Sequence, residues 1–564
     1  MSSQREGAQV GLPGYTLPLS DSPADTFPTA LIGNGDFGRL DTYREVLMRQ
    51  AMNSIIDKPE WYRKVFDDKI TEKWRLEVAD SGKDISPKMM DWVMQELRWK
   101  AEYLDKHGAI MAFDTGIVIS DTAISPDLQR ELQDAAMALE TNTKKDFHPG
   151  SDDKVVDLVH PSLFPVIYGR SRILTDRLID LDDCLDHVGE GELLPTPTEQ
   201  QNPSYHNFSH PDPFSRKFQW MPCNIEFTSD GGCRIMSYIN NLHPKKNHSL
   251  YTVIEKIVAQ TIPLWNITLS NLDNNKHRID AGGVLYEPES PGSASWSDWE
   301  ANREIVQPEP GDFDPEKVTP ENDVDLREEY PQGLQIIVKL ANIELTPEKP
   351  VYNGGTWHVE GAQNEHICAT GIYYYDSENI TDSSLAFRQR VLHDDLLDEL
   401  DYHQDQHEFL QVIYGLDEDV EGRNETRVTQ DIGSISTRER RLLTFPNVLQ
   451  HRVSPFGLAD TSKPGHRKIL ALFLVDPNYR IISSANVPPQ SEEWWEEKQE
   501  AIFDILPTRL PRELQDMVMQ NMDVGHITMK EACEYRLELM EERTAKTEVT
   551  NEAFEWGDFN LCEH

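Results

Sequence analysis

Cationic residues are scarce in this chain: its 564 residues carry 54 lysines and arginines against 98 aspartates and glutamates, a formal net charge of −44. Such an acidic surface repels phosphate backbones and anionic lipid, so the expected partners include no nucleic acid and no membrane. Long apolar runs are missing too, since no segment approaches the ~20 apolar residues that cross a bilayer. The opening MSSQREGAQVGLPG lacks the apolar stretch of a secretory signal. Cysteines number only six, with no C-x-x-C pair. That argues against a zinc ribbon or a disulfide scaffold and points to a reducing compartment, cytoplasmic or nuclear. No glycine-rich phosphate loop, G-x-S-x-G elbow or internal repeat occurs, so nucleotide and serine-hydrolase chemistry lack their usual carriers.

What is present suggests a folded α+β chain, with 38% hydrophobic residues and 9% aromatics. Its length exceeds one comfortable hydrophobic core. Residues 1–150 read as a mainly helical N-terminal domain. Ser86-Pro87 starts a helix in which Met90, Val93, Leu97, Ala101 and Leu104 recur at helical spacing, and Gly108 stops it. GAIMAFDTGIVIS reads as strand and SPDLQRELQDAAMALE as helix. Residues 151–485 read as a β-rich core. FQWMPCNIEFTSDGGCRIMSYINN is a hairpin, and a two-residue turn at Asp230-Gly231 would set Cys223 opposite Tyr238 and Cys233 opposite Thr228, unbridged. An amphipathic helix follows on Leu250, Val253, Ile254, Ile257 and Val258, with Pro263 expected to end it. The acidic stretch 287–330 reads as a long surface loop, and 385–415 as an acidic helical insertion. The short strand-like runs between them suggest an antiparallel barrel or double sheet. Residues 486–564 read as a C-terminal helical extension, with Thr528 and Glu531 forming a capping box ahead of Ala532, Tyr535 and Leu539.

The chemistry concentrates in GGTWHVEGAQNE. On an extended strand His358 and Glu360 project to one face, an imidazole beside a carboxylate. A third ligand must come from another strand, and His451 in FPNVLQHRVSPF is the best placed. Two histidines and one carboxylate leave half an octahedral shell open, the pattern of non-haem Fe(II) oxygenases. A bidentate 2-oxo acid would occupy part of that shell, and its second carboxylate needs a cation. Arg467, opening the strand HRKILALFLVDP, offers a planar fork for it. Lys468 should point to the opposite face, towards solvent.

Several stretches, among them DLVHPSLFPVIYGRSRIL, SYINNLHP, VKLANIELTPEKPVYNGGTWHVEG, TFPNVLQHRVSPF and PGHRKILALFLVDP, resemble a large, mostly fungal family of proteins of unknown function whose core is similar to the Fe(II)/2-oxoglutarate-dependent dioxygenases. The resemblance extends to DKPEWYRKVFDDKITEKWRLE near the start and YRLELMEER and NLCEH near the end. It implies a double-stranded β-helix (jelly-roll, cupin-like) core, metal on His358, Glu360 and His451, and 2-oxoglutarate on Arg467. Two features depart from the commoner oxygenase pattern. Glu360 stands where Asp is usual, and Ile469 stands where many relatives carry Ser or Thr two residues after the arginine. Another hydroxyl or amide must assist there, with Tyr373, Tyr375 and Asn342 as candidates.

Rival constellations have plainer readings. His403 and His407 share a helical spacing but lack the glutamate of H-E-x-x-H, and Asp394, Asp395, Asp398 and Glu399 crowd the same segment. His366 reads as a rim residue, Arg452 as a salt-bridge partner, and Trp357 as core behind the ligands. Cys562 and His564 belong to a terminal tail. The expectation is therefore an oxidoreductase that uses Fe(II), 2-oxoglutarate and O2 to oxidise a C–H bond of a small organic substrate. A non-catalytic metal-binding scaffold and a zinc hydrolase are the alternatives, and Arg467 discriminates against both.

Overall fold

The structure is a computed structural model that describes residues 11–21, 23, 25–31, 40–142, 144–197, 214–272, 276–288, 296–320, 322–391, 407–416, 426–497 and 525–557. The chain begins with helices α1 (Tyr43–Ile56) and α2 (Pro87–His107). The Ser86 hydroxyl accepts from the Met89 amide, Pro87 opens α2, and Gly108 closes it in the left-handed conformation, as the sequence predicts. Strands β1 (Ile110–Phe113) and β2 (Ile117–Ser120) and helix α3 (Pro126–Asn142) follow. Next come β3 (Val155–Val159), β4 (Cys223–Phe227), β5 (Cys233–Ile235) and α4 (His248–Leu269).

The central strands are β6 (Leu334–Leu345), β7 (Ile367–Glu378), β8 (Ser384–Arg390), β9 (Thr429–Ser436), β10 (Leu442–Pro446), β11 (Gln450–Val453) and β12 (Gly465–Val475). Helices α5 (Glu408–Tyr414), between β8 and β9, and α6 (Met529–Glu555), after β12, accompany these strands. Nine strands form one large antiparallel sheet in the order β1-β2-β10-β7-β12-β6-β4-β5, with β3 also paired to β6. A second sheet runs β9-β8-β11. The fold is thus mixed α/β around a large antiparallel sheet.

Alternation along β12 shows how the layers are built. Leu470, Leu472 and Leu474 face α3 and α4, packing with Leu132, Ile257 and Trp265. Ala471, Phe473 and Val475 face the other way, into a cluster with Leu385, Phe387 and Ile435 of the small sheet. The rings of Phe387 and Phe445 meet edge to face at 5.1 Å across the two sheets.

Several expectations need correction. Pro263 does not end α4 but sits inside it. An internal proline costs about 3 kcal/mol, and burial of Leu264, Trp265 and Leu269 beyond it, about 1.5–3 kcal/mol each, offsets that. The hairpin register is one residue off: Cys233 faces Phe227 because five residues, Thr228 to Gly232, make the turn. Both cysteines are free, as expected. The helical insertion 385–415 fails at its start, where Ser384–Arg390 is strand. Leu385 and Phe387 alternate into the core opposite Ile435 and Gly433, which a helix could not do. Residues 392–406, with His403, Asp394, Asp395, Asp398 and Glu399, lie outside the described residues, as do Cys562 and His564. The described part of 287–330 is anchored by buried Trp299, Val318 and Leu326 rather than running free on the surface. In the helical N-terminal stretch, β1 and β2 join the large sheet through β10. The capping box at Thr528 and Glu531 forms as read. Among the described residues no helix is long and apolar enough to cross a membrane.

Candidate metal centre

The stretch from Gly354 to Glu360 runs extended beside β11, and His358 and His451 exchange backbone hydrogen bonds of 3.2 and 3.0 Å as an isolated bridge. Their rings lie 4.4 Å apart. Glu360 Oε1 is 3.8 Å from His358 Nε2 and 3.3 Å from His451 Nε2. The three candidate ligating atoms all fall within 4.8 Å of one another. His451 is buried, while His358 and Glu360 are half-buried. The three residues predicted as metal ligands are therefore brought together.

The donor chemistry fits a cation. His358 Nδ1 is 2.8 Å from the Thr356 carbonyl, which accepts only from a protonated nitrogen, so its Nε2 lone pair is free. Burial and the neighbouring His451 push the His358 imidazole down to about 4. Burial alone would raise Glu360, but the hydrogen bond from His451 and the two imidazoles hold it at about 2. Both groups are thus ready to ligate at neutral pH, one as neutral imidazole and the other as carboxylate. His451 Nδ1 is buried without a partner.

The sequence reading missed what fixes this motif. Asn447, 1% exposed, accepts the Glu360 amide at 2.8 Å and donates at 3.0 Å to the carbonyls of both Glu360 and Ile367. Its place in TFPNVLQH, at the turn after β10, was the available signal. Trp357 is not core. Its ring lies between the guanidinium groups of Arg388 at 4.9 Å and Arg452 at 4.4 Å. Arg452 accordingly stacks on the ring, whereas a salt bridge was expected. The Trp357 carbonyl accepts from Asn551 of α6 at 2.7 Å, so the C-terminal helix braces the motif.

Arg467 lies on the inner face of β12, 2% exposed. Its Nη1 donates to the Thr437 hydroxyl at 3.2 Å, and its guanidinium stacks over Phe456 at 4.7 Å and Tyr374 at 5.5 Å. Nε has no partner. Among the described residues no carboxylate pairs with it, and burial pushes its pKa down. The Thr437 hydroxyl stands beside this guanidinium, where Ile469 offers none. Tyr373, Tyr375 and Asn342 cannot assist, because they face the opposite side. Tyr373 pairs with the outward Leu470, and Tyr375 and Asn342 meet each other there, 3.4 Å apart. Lys468 also faces outward as expected, but it is paired with Asp376 at 3.0 Å and Glu140 at 3.2 Å rather than solvated. His366 is no rim residue: it is buried and tilted against Tyr479, ring centroids 3.9 Å apart.

Two other clusters could gather around a cation, and both are less suited. Asp41, Glu45 and His277 form one, but Arg49 lies 2.6 Å from Asp41 and 2.9 Å from Glu45, so guanidinium already neutralises the acids. In His148, Asp157 and His160, the His160 Nδ1 accepts the Ser162 amide at 3.1 Å, which places the ring proton on Nε2 and removes that lone pair.

A family model described as "Protein of unknown function (DUF4246)" matches residues 87–498, and one described as "Domain of unknown function DUF4246, N-terminal" matches residues 12–77. No curated protein matches. Among solved structures, IDO from Bacillus thuringiensis is 13% identical with a TM-score of 0.15, and the match covers 25% of this chain and 47% of IDO, about half its length. The selenomethionine-labelled Fe(II)/(alpha)ketoglutarate-dependent dioxygenase TqaL is 10% identical with a TM-score of 0.20, over 66% of this chain and 96% of that one. At such TM-scores neither likeness decides fold or chemistry.

Proposed function

The chain belongs to the DUF4246 family of proteins of unknown function, and we propose that it is an Fe(II)/2-oxoglutarate-dependent oxygenase acting on a C–H bond of a small organic substrate. The observation that carries this reading is Arg467. Among the described residues five arginine side chains are fully buried. Arg49 and Arg278 meet Asp and Glu side chains in one network. Arg441 meets Asp57 and Asp121, and Arg388 meets Glu555. Arg467 alone has no carboxylate among the described residues. Leaving a buried cation unpaired costs several kcal/mol, so an anion that binds there recovers a large penalty.

The strand order supports a double-stranded β-helix. Counted from β6, with the His358 stretch second, the large sheet runs sixth-third-eighth-first and the small sheet runs fifth-fourth-seventh-second. In such a fold the ligand strands and the Arg467 strand would surround one interior. In that interior His358, Glu360 and His451 would hold the iron, and Arg467 and Thr437 would fix the distal carboxylate of the 2-oxo acid. Bound iron and 2-oxoglutarate would together supply O2 activation, with decarboxylation to succinate and CO2. The protein's own part would be to orient both ligands and to exclude water with the buried 362–366 turn and α6.

The test is anaerobic reconstitution with Fe(II), exposure to O2, and measurement of succinate from 2-oxoglutarate. The wild type should release it and His358→Ala should not. Absence of both succinate and 2-oxoglutarate binding refutes the oxygenase reading in favour of a non-catalytic scaffold.

A further inference from the structure

Lys339 interrupts the apolar run of β6 and lies on the inner face with Ile337, opposite Ala471 of β12. It is half-buried, and among the described residues its ammonium has neither an ion pair nor a hydrogen bond. The acid on its far side, Asp157, has its Oδ2 engaged and its buried Oδ1 without a hydrogen-bond partner, and Lys339 reaches it only through space. Asp157 is 2.8 Å from His148 Nδ1 and 3.9 Å from Arg536, and Arg536 is itself held by Asp146 at 2.6 and 2.9 Å. The inner face therefore carries two cations, Lys339 and Arg467, that make no ion pair with a carboxylate among the described residues, although the Lys339 charge acts through space on Asp157 and Glu360.

Both cations sit on the β6–β12 pair. Lys339 is opposite Ala471, and Arg467 lies four positions earlier on β12, opposite Ile343. At ~3.4 Å per residue the two positions are about 14 Å apart along the sheet. Two long side chains leaning towards each other leave room for a short diacid between them. One lone cation would serve a monoacid equally well. Two on one wall, beside a metal-ligand triad, match a ligand with a carboxylate at each end.

We infer that Lys339 is a second anion-binding residue of the site, holding one carboxylate of a dicarboxylic 2-oxo acid while Arg467 holds the other. This rests on the proposed oxygenase reading and deepens it by assigning a residue of the β6 strand to the co-substrate. An ammonium suits this place because it is a point charge that can follow a carboxylate through several rotamers, whereas Arg467 fixes its partner in a plane.

The experiment is calorimetric titration of the full-length chain, loaded with Mn(II), with 2-oxoglutarate under anaerobic conditions. Wild type, Lys339→Met, Lys339→Arg and Arg467→Met are compared, with Mn(II) affinity and thermal midpoint measured for each. Lys339→Met should weaken 2-oxoglutarate binding about ten- to hundredfold, as loss of one charge-assisted contact does, with Mn(II) affinity and thermal midpoint unchanged. Lys339→Arg should restore part of the affinity. Unchanged 2-oxoglutarate affinity in Lys339→Met overturns the assignment alone and hands Lys339 to an acid group on the organic substrate or to Asp157. A parallel loss of Mn(II) affinity also overturns it, by showing a structural role. Failure of the wild type to bind 2-oxoglutarate overturns the oxygenase reading together with this one.

Discussion

Replacing Arg467 with methionine should stabilise the ligand-free protein while destroying its response to 2-oxoglutarate. The guanidinium is 2% exposed, and its compensation is one hydroxyl acceptor and two aromatic faces. Desolvating a charge costs several kcal/mol after relaxation. A desolvated cation–π contact returns about 1–2 kcal/mol, and the hydrogen bond from a charged donor about 1.5–3 kcal/mol. The balance is a residual cost on the order of 1–3 kcal/mol, which methionine removes while filling most of the volume. The thermal midpoint of Arg467→Met should therefore rise by about 1–2 degrees without ligand, since the unfolding entropy of so long a chain is large. Saturating 2-oxoglutarate should raise the wild-type midpoint by mass action and leave that of the variant unmoved. Differential scanning calorimetry on both proteins, with and without the 2-oxo acid, reads both effects. A variant that melts earlier than wild type and still gains stability from 2-oxoglutarate would refute the argument, since Arg467 would then be an ordinary structural residue.

Other residues make separate claims. His358→Ala, Glu360→Ala and His451→Ala should each abolish stoichiometric metal binding, measured by elemental analysis after gel filtration, and full occupancy in any of them removes that ligand from the set. Asn447→Ala strips three hydrogen bonds from the Glu360 and Ile367 backbone. It should lower metal affinity about ten- to hundredfold while Glu360 itself remains, and an unchanged metal titration would show that the motif needs no clamp. His366 is buried and its imidazole is pushed down to about 3. The unfolded chain takes up a proton near 6.5 that the folded chain refuses, so stability is complete above that pH and is lost on acidification, by at most about 1.4 kcal/mol per unit. His366→Asn, which suits the left-handed backbone at φ 46°, should flatten the pH 6 to 4 slope of urea unfolding midpoints by that amount. An identical slope would place the acid sensitivity elsewhere.

The parts of the site legible in the sequence are those that depend on local alternation. His358 and Glu360 are two apart on extended chain, and Arg467 and Lys468 are adjacent and so must face opposite ways. Both relations follow from the pleat, without knowledge of what lies across it. Caps behaved similarly, since Ser86, Gly108 and Thr528 act within one turn. The misreadings arose where a long-range partner decides. Pro263 is tolerated because β10 and β7 cover the helix on both sides of it, and nothing local announces them. The strand at Ser384–Arg390 looked helical because acidic residues follow it, yet its conformation is set by β9 and β11. Tyr373 and Tyr374 differ only in parity, and the pairing with β12 fixes which of them shares a face with Arg467. Lys339 offered a local signal, the one cation in GLQIIVKLANIEL, whose meaning needed the opposite strand.

A chain with a net charge of −44 is an unpromising host for a dianion, and the distribution of its charge resolves this. Surface acids act through water and salt, where a Debye length of about 8 Å confines their reach. Charges between the two sheets act through a medium of much lower dielectric and are worth several times more per pair. Within that interior the acids Glu360 and Asp157 are both engaged by imidazoles, while Lys339 and Arg467 make no ion pair with an acid among the described residues and Lys339 reaches those two acids only through space. A metal on the triad would add further positive charge. The sign that a ligand meets between the sheets is thus opposite to the sign of the molecule. This favours an anion that can also ligate a metal over a neutral metabolite, and a carboxylate beside Arg467, where none lies among the described residues, would compete with such an anion for the same guanidinium.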